Sequence, residues 1–156
     1  GEPNGGRLMR TLLLLLVVML AACASTSGDA PFPAAQQAVD RVAAEHPDLL
    51  RLTLHAVPAG KSECIQVAST MAQRRGKPSD PEDLKALRTG EEIVLKEAGA
   101  IDVTVPILVK DGKPTAIAGV TLRAEEGADP SAVVRKARAI AGELAREITA
   151  AGKPVW

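Results

Sequence analysis

Aromatic side chains are nearly missing from this chain of 156 residues, which has no Tyr, one Phe and one Trp. That leaves little for a ligand pocket that depends on aromatic and Tyr contacts. Cysteine is as scarce, with Cys23 and Cys64 alone. Neither sign of charge is in excess: nineteen basic residues balance nineteen acidic ones. Without clustered Lys and Arg there is no electrostatic footprint for nucleic acid, and no nucleic-acid partner is expected. No apolar run reaches the roughly 20 residues that span a bilayer. Catalytic spacing is lacking too: no G-x-S-x-G elbow surrounds Ser69, no His/Cys/Asp spacing of metal type surrounds His55, and no carboxylate pair or nucleophile-base pair is legible. The expectation is a protein that is not an enzyme and that carries neither metal nor cofactor.

What is present begins with Arg7 and Arg10, followed by the apolar run Leu12 to Ala22. A run of about ten apolar residues behind a short basic segment reads as a signal-peptide core rather than a membrane span. It ends in Leu20-Ala21-Ala22-Cys23, which resembles a bacterial lipobox. The resemblance implies that Cys23 is the lipidated first residue of a mature lipoprotein, since more than one acyl chain gives stable anchoring. Ala24 follows the cysteine rather than Asp, which in sorting rules of the enterobacterial type favours the outer membrane. Residues 1–22 are thus expected to be a signal peptide, with 1–8 an extension upstream of a start at Met9. Residues 23–33 read as the lipidated cysteine and a short tether, small, polar and broken by proline (ASTSGDAPFP). If Cys23 is lipidated, an intramolecular disulfide is excluded. Cys64 is then a buried apolar residue or a free thiol, and burial is the expectation.

The folded part, residues 34–156, shows its elements by period. Ala35, Val39, Val42 and Ala43 recur at helical spacing and Pro47 closes the segment. RLTLHAV (51–57) alternates as a half-buried strand does, Pro58 to Lys61 turns the chain, and CIQVAST (64–70) is a second strand antiparallel to the first. The connection Met71 to Gly90 contains its own helix: Ser79 or Asp80 caps it, Pro81 opens it, Glu82 and Asp83 suit its dipole, Leu84 and Leu87 form its stripe. EEIVLKEA (91–98) reads as a third strand. Ile101 to Arg123 is a hairpin about Asp111-Gly112, the strongest such signal in the chain. A two-residue turn pairs Lys110 with Lys113 and sets Pro106, which has no N–H, at a hydrogen-bonded position opposite Ile117. A three-residue loop with Gly112 in a bulge and Val109 opposite Lys113 avoids that, and is the expected register. Asp129 then caps a long helix with Pro130 at its first position. Val133, Val134, Ala137, Ile140, Ala141, Leu144 and Ile148 lie on one stripe that needs a sheet to cover.

Helix, two strands, a helical connection, and three strands of which the last two form a hairpin make an α+β fold. It is a five-stranded antiparallel sheet with an N-terminal helix and a long final helix. The order Val67-Ala68-Ser69-Thr70, Gly76-Lys77-Pro78-Ser79-Asp80, Leu84, Leu87, Gly90, Val105-Pro106-Ile107, Asp111-Gly112-Lys113 and Ala118-Gly119-Val120 resembles the extracytoplasmic, PAS-like Cache domain. The resemblance covers about Pro33 to Ile148. It implies a sensory-type module that binds a small molecule, such as an organic acid or amine, between the sheet and the long connection. Standing free of any transmitter, it would be lipid-anchored in the periplasm and would present its ligand or its changed shape to an envelope partner. His55, Gln66, Ser69, Thr70, Asp102, Thr104 and Thr121 are then the expected ligand-binding residues. The alternative for each is a structural or solvated role, and for the whole chain a structural or protein-interaction lipoprotein without ligand. Arg74, Arg75 and Lys77 could hold an anion at the pocket mouth or belong to a solvated loop. Glu91 and Glu92 read as an exposed strand start.

Overall fold

The computed structural model describes residues 30–152 and 155–156. The expected signal peptide and Cys23, with most of the tether, lie outside the described residues. Helix α1 (Pro33–Ala44) is followed by strands β1 (Leu49–Ala56) and β2 (Ile65–Ser69). A single 3₁₀ turn (Ala72–Arg74) and helix α2 (Pro81–Thr89) lead to β3 (Ile93–Glu97), the hairpin β4 (Ala100–Lys110) and β5 (Lys113–Arg123), and helix α3 (Pro130–Ala150). All pairings are antiparallel, in the order β2-β1-β5-β4-β3. The hairpin therefore occupies the middle of the sheet together with β1, as expected of an α+β fold of PAS-like order. Among the described residues no helix is long and apolar enough to cross a membrane.

The sheet has two unlike faces, because side chains alternate along each strand. Leu52, Leu54 and Ala56 of β1, Ile101 and Val103 of β4, and Ala116, Ala118, Val120 and Leu122 of β5 are buried with Val39 and Val42 of α1 and Ala137, Ile140, Ala141 and Leu144 of α3. This is the core. The long helix forms as its sequence dictates: the Asp129 side chain accepts from the Ser131 amide, Pro130 occupies the first turn, and its buried residues fall at helical spacing. The opposite face carries Arg51, Thr53 and His55 of β1, Asp102 and Thr104 of β4, and Gly119 and Thr121 of β5, beneath α2 and the connection that leads to it.

One expectation fails at the hairpin. Lys110 pairs with Lys113, so the turn has two residues, Asp111 and Gly112, with φ of 52° and 75°. Both lie in the left-handed region, and that turn follows the right-handed twist of the strands, which decides the register. Pro106 does stand opposite Ile117. Its missing N–H is absorbed by register irregularities between Pro106 and Leu108 and between Leu108 and Val109, so the strand bends locally rather than shifting along its length. Pro114 pairs with Val109, next to the hydrogen-bonded closing pair, where no donor is needed.

Candidate functional site

Beneath α2 the sheet carries polar side chains where the other face carries aliphatic ones. Arg51, Thr53, His55, Arg74, Asp80, Glu82, Asp83, Asp102 and Gly119 surround a space of only about 10 Å³. That is about the volume one water needs, so the cleft is polar and closed. A second cavity of about 700 Å³, open at the hairpin end, is lined mainly by aliphatic groups with Lys110, Thr115 and Thr149 as its polar members. It has the volume of a ligand site but not the convergent polar groups that fix a small ligand's orientation.

His55 is the centre of the polar cluster. Its Nδ1 lies 3.0 Å from the Ser79 Oγ and 3.4 Å from a carboxylate oxygen of Asp83. The Ser79 hydroxyl donates to the Cys64 sulfur at 3.3 Å, so serine links the histidine to the thiol. Space for the imidazole comes from Gly119 on β5, which pairs with Thr53 and lies diagonally from His55: a Cβ there would stand 3.3 Å from the His55 Nε2. Burial keeps His55 neutral, lowering its pKa to about 3, with the Arg74 guanidinium adding to the effect. Burial also pushes Asp83 up to about 6. Cys64 is buried, as expected, and burial raises its thiol above the ordinary value.

Asp83 joins cover to sheet. It stands at the third position of α2, where one carboxylate oxygen accepts from the Asp80 backbone N–H at 3.1 Å as part of a capping box. The other accepts from the Thr104 hydroxyl at 3.2 Å. Beside them, Asp102 accepts from the Thr121 hydroxyl at 2.6 Å and lies 3.5 Å from the Arg51 guanidinium. The two residues face each other directly across the hairpin, which is why the chain brings them together. On the β2 side, the Thr53 and Ser69 hydroxyls are 2.9 Å apart, and Ser69 Oγ also accepts from the Met71 amide.

Of the seven residues expected from sequence, His55 and Asp102 line the small space. Thr104 and Thr121 each bond to one of its acidic groups. Gln66 accepts from Arg74 at 2.7 Å and donates to the Pro78 carbonyl, holding the connection down. Ser69 is bonded to Thr53. Thr70 does not line the space; its hydroxyl accepts from the Leu52 amide at the end of the β1–β2 pairing. The basic trio is neither a solvated loop nor a free anion site. Arg74 also bonds to Asp80 at 2.7 Å, Arg75 donates to the Ser69 carbonyl at 3.0 Å, and of the three only Lys77 is exposed. Glu92 is held in a two-pronged pair with Arg138 of α3. Sequence reasoning missed Arg51, Thr53 and the sheet-facing role of Asp83, and also Gln36, whose buried amide bonds both the amide and the carbonyl of Ser69. A glycine inside a strand was the available signal for a close approach, and Gly119 is that glycine.

Asp80, Glu82 and Asp83 bring carboxylate oxygens within 4.8 Å of one another. Asp80 is paired with Arg74 and Asp83 with Thr104, so two of the three are already engaged.

No family model matches the chain, and no curated protein matches it. Among solved structures its fold is similar to the GAF domain region of a putative membrane protein from Geobacter sulfurreducens, with a TM-score of 0.50 at 14% identity over 73% of this chain and 89% of that one. The GAF domain of the Acinetobacter phosphoenolpyruvate-protein phosphotransferase gives 0.49 at 13% over 73% and 79%. The type II free methionine-R-sulfoxide reductase from Thermoplasma acidophilum gives 0.47 at 10% over 72% and 89%. At such identities the likeness is one of fold: a five-stranded antiparallel sheet with flanking helices, of the PAS-like kind that GAF domains share.

Proposed function

We propose that this chain is a lipid-anchored, periplasmic small-molecule-binding module of sensory type, Cache-like in use, with its site on the polar sheet face under α2. The observation that carries the reading is the way that face is covered. Helix α2 buries only Asp83 and Ala86 of its nine residues. The connection before it is held by polar contacts, from Arg74 to Gln66 and Asp80, from Arg75 to the Ser69 carbonyl, and from Ser79 to His55. A cover so tied opens at low cost, because a ligand's own polar groups can replace each contact. Polar and ionic groups buried on the sheet are no better for stability than aliphatic ones of the same size, so their presence fits recognition.

The charges suggest the ligand class. Arg51 and Arg74 suit a carboxylate, and Asp80, Asp83 and Asp102 suit an amine, so small organic acids and amines are the chemistry to test. The buried, proton-retaining Cys64 thiol supports a binding role rather than a catalytic one. Anchoring rests on Cys23, with the outer membrane as the address and an envelope protein as the receiver of the signal.

A second reading has an observation in its favour. The cleft measures only about 10 Å³ and, among the described residues, no buried polar side-chain atom lacks a partner. A structural or interaction lipoprotein with a self-filled cleft would look this way. A thermal-shift screen with small carboxylates, amines and amino acids separates the two. A true ligand at a hundred times its Kd adds about 2.7 kcal/mol, and Asp102→Leu should abolish that gain while leaving the protein folded. A melting temperature that no compound moves would leave the structural reading in place.

A further inference from the structure

The polar cleft occupies the middle of one sheet face, but the large apolar cavity lies elsewhere, at one end of the molecule. Val57 follows β1, Leu108 and Lys110 close β4, Pro114 and Thr115 open β5, and Ile148, Thr149 and Gly152 mark the end of α3. The sheet pairings bring these termini together, since Ala56 is opposite Ala116 and Lys110 opposite Lys113. Trp156 lines the cavity and packs against the core beside it. Val109, at the hairpin tip, is 63% exposed, the most exposed large apolar side chain in the described residues, and Val57 is 36% exposed. Lys110 and Lys113 flank the tip with Asp111 between them, and Lys61 lies with Glu63 in the connection between β1 and β2 at the same end of the sheet.

The chain also enters the domain at this end. Phe32, just before α1, shares a shallow depression with Pro58, Lys61 and Ile65, next to Val57. Cys23 precedes Phe32 by nine residues, a stretch that reaches at most about 30 Å when fully extended. The other end of the sheet has the opposite character. There, around the β3–β4 turn and the loop after β5, Glu97, Glu125 and Glu126 outnumber Lys96 and Arg123, and Asp129 opens the next helix.

We propose that the hairpin end of this domain docks on the phospholipid surface to which the tether is fixed. Val109 and the mouth of the cavity meet the acyl boundary, Lys61, Lys110 and Lys113 meet lipid phosphates, and the acidic end points away. The reading rests on anchoring through Cys23. Given that anchor, three things select this end over others: the chain enters the domain there, it carries the exposed Val109 and an apolar cavity lined by Val57, and its lysines outnumber its carboxylates, the sign that attracts anionic lipid. Docked in this way, the polar sheet face under α2 stands on the flank of the domain rather than against the lipid.

Trp156 is the sole tryptophan of a chain without tyrosine, so it reports on this end without a label. The full chain, acylated at Cys23, is placed on vesicles of equal parts phosphatidylethanolamine and phosphatidylglycerol, with plain or brominated acyl chains. Docking predicts roughly a twofold or greater loss of Trp156 emission on the brominated vesicles. It also predicts recovery of that emission in Val109→Asp/Lys110→Glu, a change confined to exposed side chains, while the variant still floats with the vesicles. Protein that floats but is equally bright on both kinds of vesicle overturns docking and leaves the anchored domain standing. So does quenching that the double variant retains, or dimming that is independent of bromine and accompanied by self-crosslinking, the mark of a second copy on this face. Wild type that fails to float, like Cys23→Ser, overturns the anchor and docking together.

Discussion

The two faces of one sheet are built from the same strands by different chemistry. On β1, Leu52, Leu54 and Ala56 point into an aliphatic core under α1 and α3, while Thr53 and His55, their immediate neighbours, point into a buried polar layer under α2. Both neighbours are buried: Leu54 is 0% exposed and His55 2%. What differs is how each is held. Aliphatic packing is non-directional and strengthens with every methylene buried, whereas the polar layer must satisfy each donor and acceptor in a fixed geometry merely to break even. The first face supplies the stability; the second uses it to hold charged and polar groups in place.

Removing one side chain from each face should measure that division. Leu54→Ala leaves a hole among atoms that cannot close on it, and should lower unfolding stability by about 2–5 kcal/mol in urea titrations. Asp102→Ala strips the partner from Thr121 and the charge beside Arg51. Because Arg51 retains some solvent contact, the cost should be smaller, about 1–3 kcal/mol in the same titration. Equal losses, or a larger one at Asp102, would mean that the polar face carries more of the stability than its packing suggests.

The aliphatic face was the legible one. Its helices α1 and α3 announce themselves by apolar period, α3 also by its cap at Asp129, and its strands by alternation; with the caps of α2 at Asp80 and Gly90, element order and fold followed directly. The polar face was legible only in part. His55, Asp102, Thr104 and Thr121 could be picked out as polar groups at inward positions. Asp83 could not, because its place in the first turn of α2 already accounts for an acidic residue. Its second bond, to Thr104, depends on how α2 lies across β4, a tertiary fact. Arg74 and Arg75 looked like a basic loop because nothing local says that the loop folds back onto β2. The hairpin register failed for a different reason. The proline argument was sound about Pro106, but the twist preference of Asp111-Gly112 outweighed one lost hydrogen bond that a local irregularity could absorb.

The sharpest test of the polar face is its response to pH, because its two titratable neighbours are displaced in opposite directions. His55 falls from 6.5 to about 3 and Asp83 rises from 3.8 to about 6. For His55 the unfolded chain binds the extra proton between those values, so its contribution rises with pH and is lost as pH falls below 6.5. For Asp83 the folded protein binds the extra proton, so its contribution is present at low pH and is lost as pH rises from about 4 through 6. Between pH 4 and 6 the folded pair holds one proton, on the carboxyl, and the unfolded pair holds one, on the imidazole. The two slopes cancel, and the pair adds no pH dependence in that range. Each single variant removes the cancellation. Asp83→Asn should lose stability on acidification from pH 6.5 toward 3, and His55→Gln should lose it on alkalinisation from pH 4 to 6. Either slope is bounded at about 1.4 kcal/mol per pH unit, one proton's worth. Urea titrations of the three proteins across this range read the slopes directly, and since Asp48 and Asp129 titrate alike in all of them, the differences belong to the pair. If wild type follows Asp83→Asn across pH 4–6, Asp83 is not retaining a proton and the face is wetter than its burial implies; if it follows His55→Gln, the imidazole is charged beside an Asp83 that keeps its proton, and the 3.4 Å contact is not an ion pair.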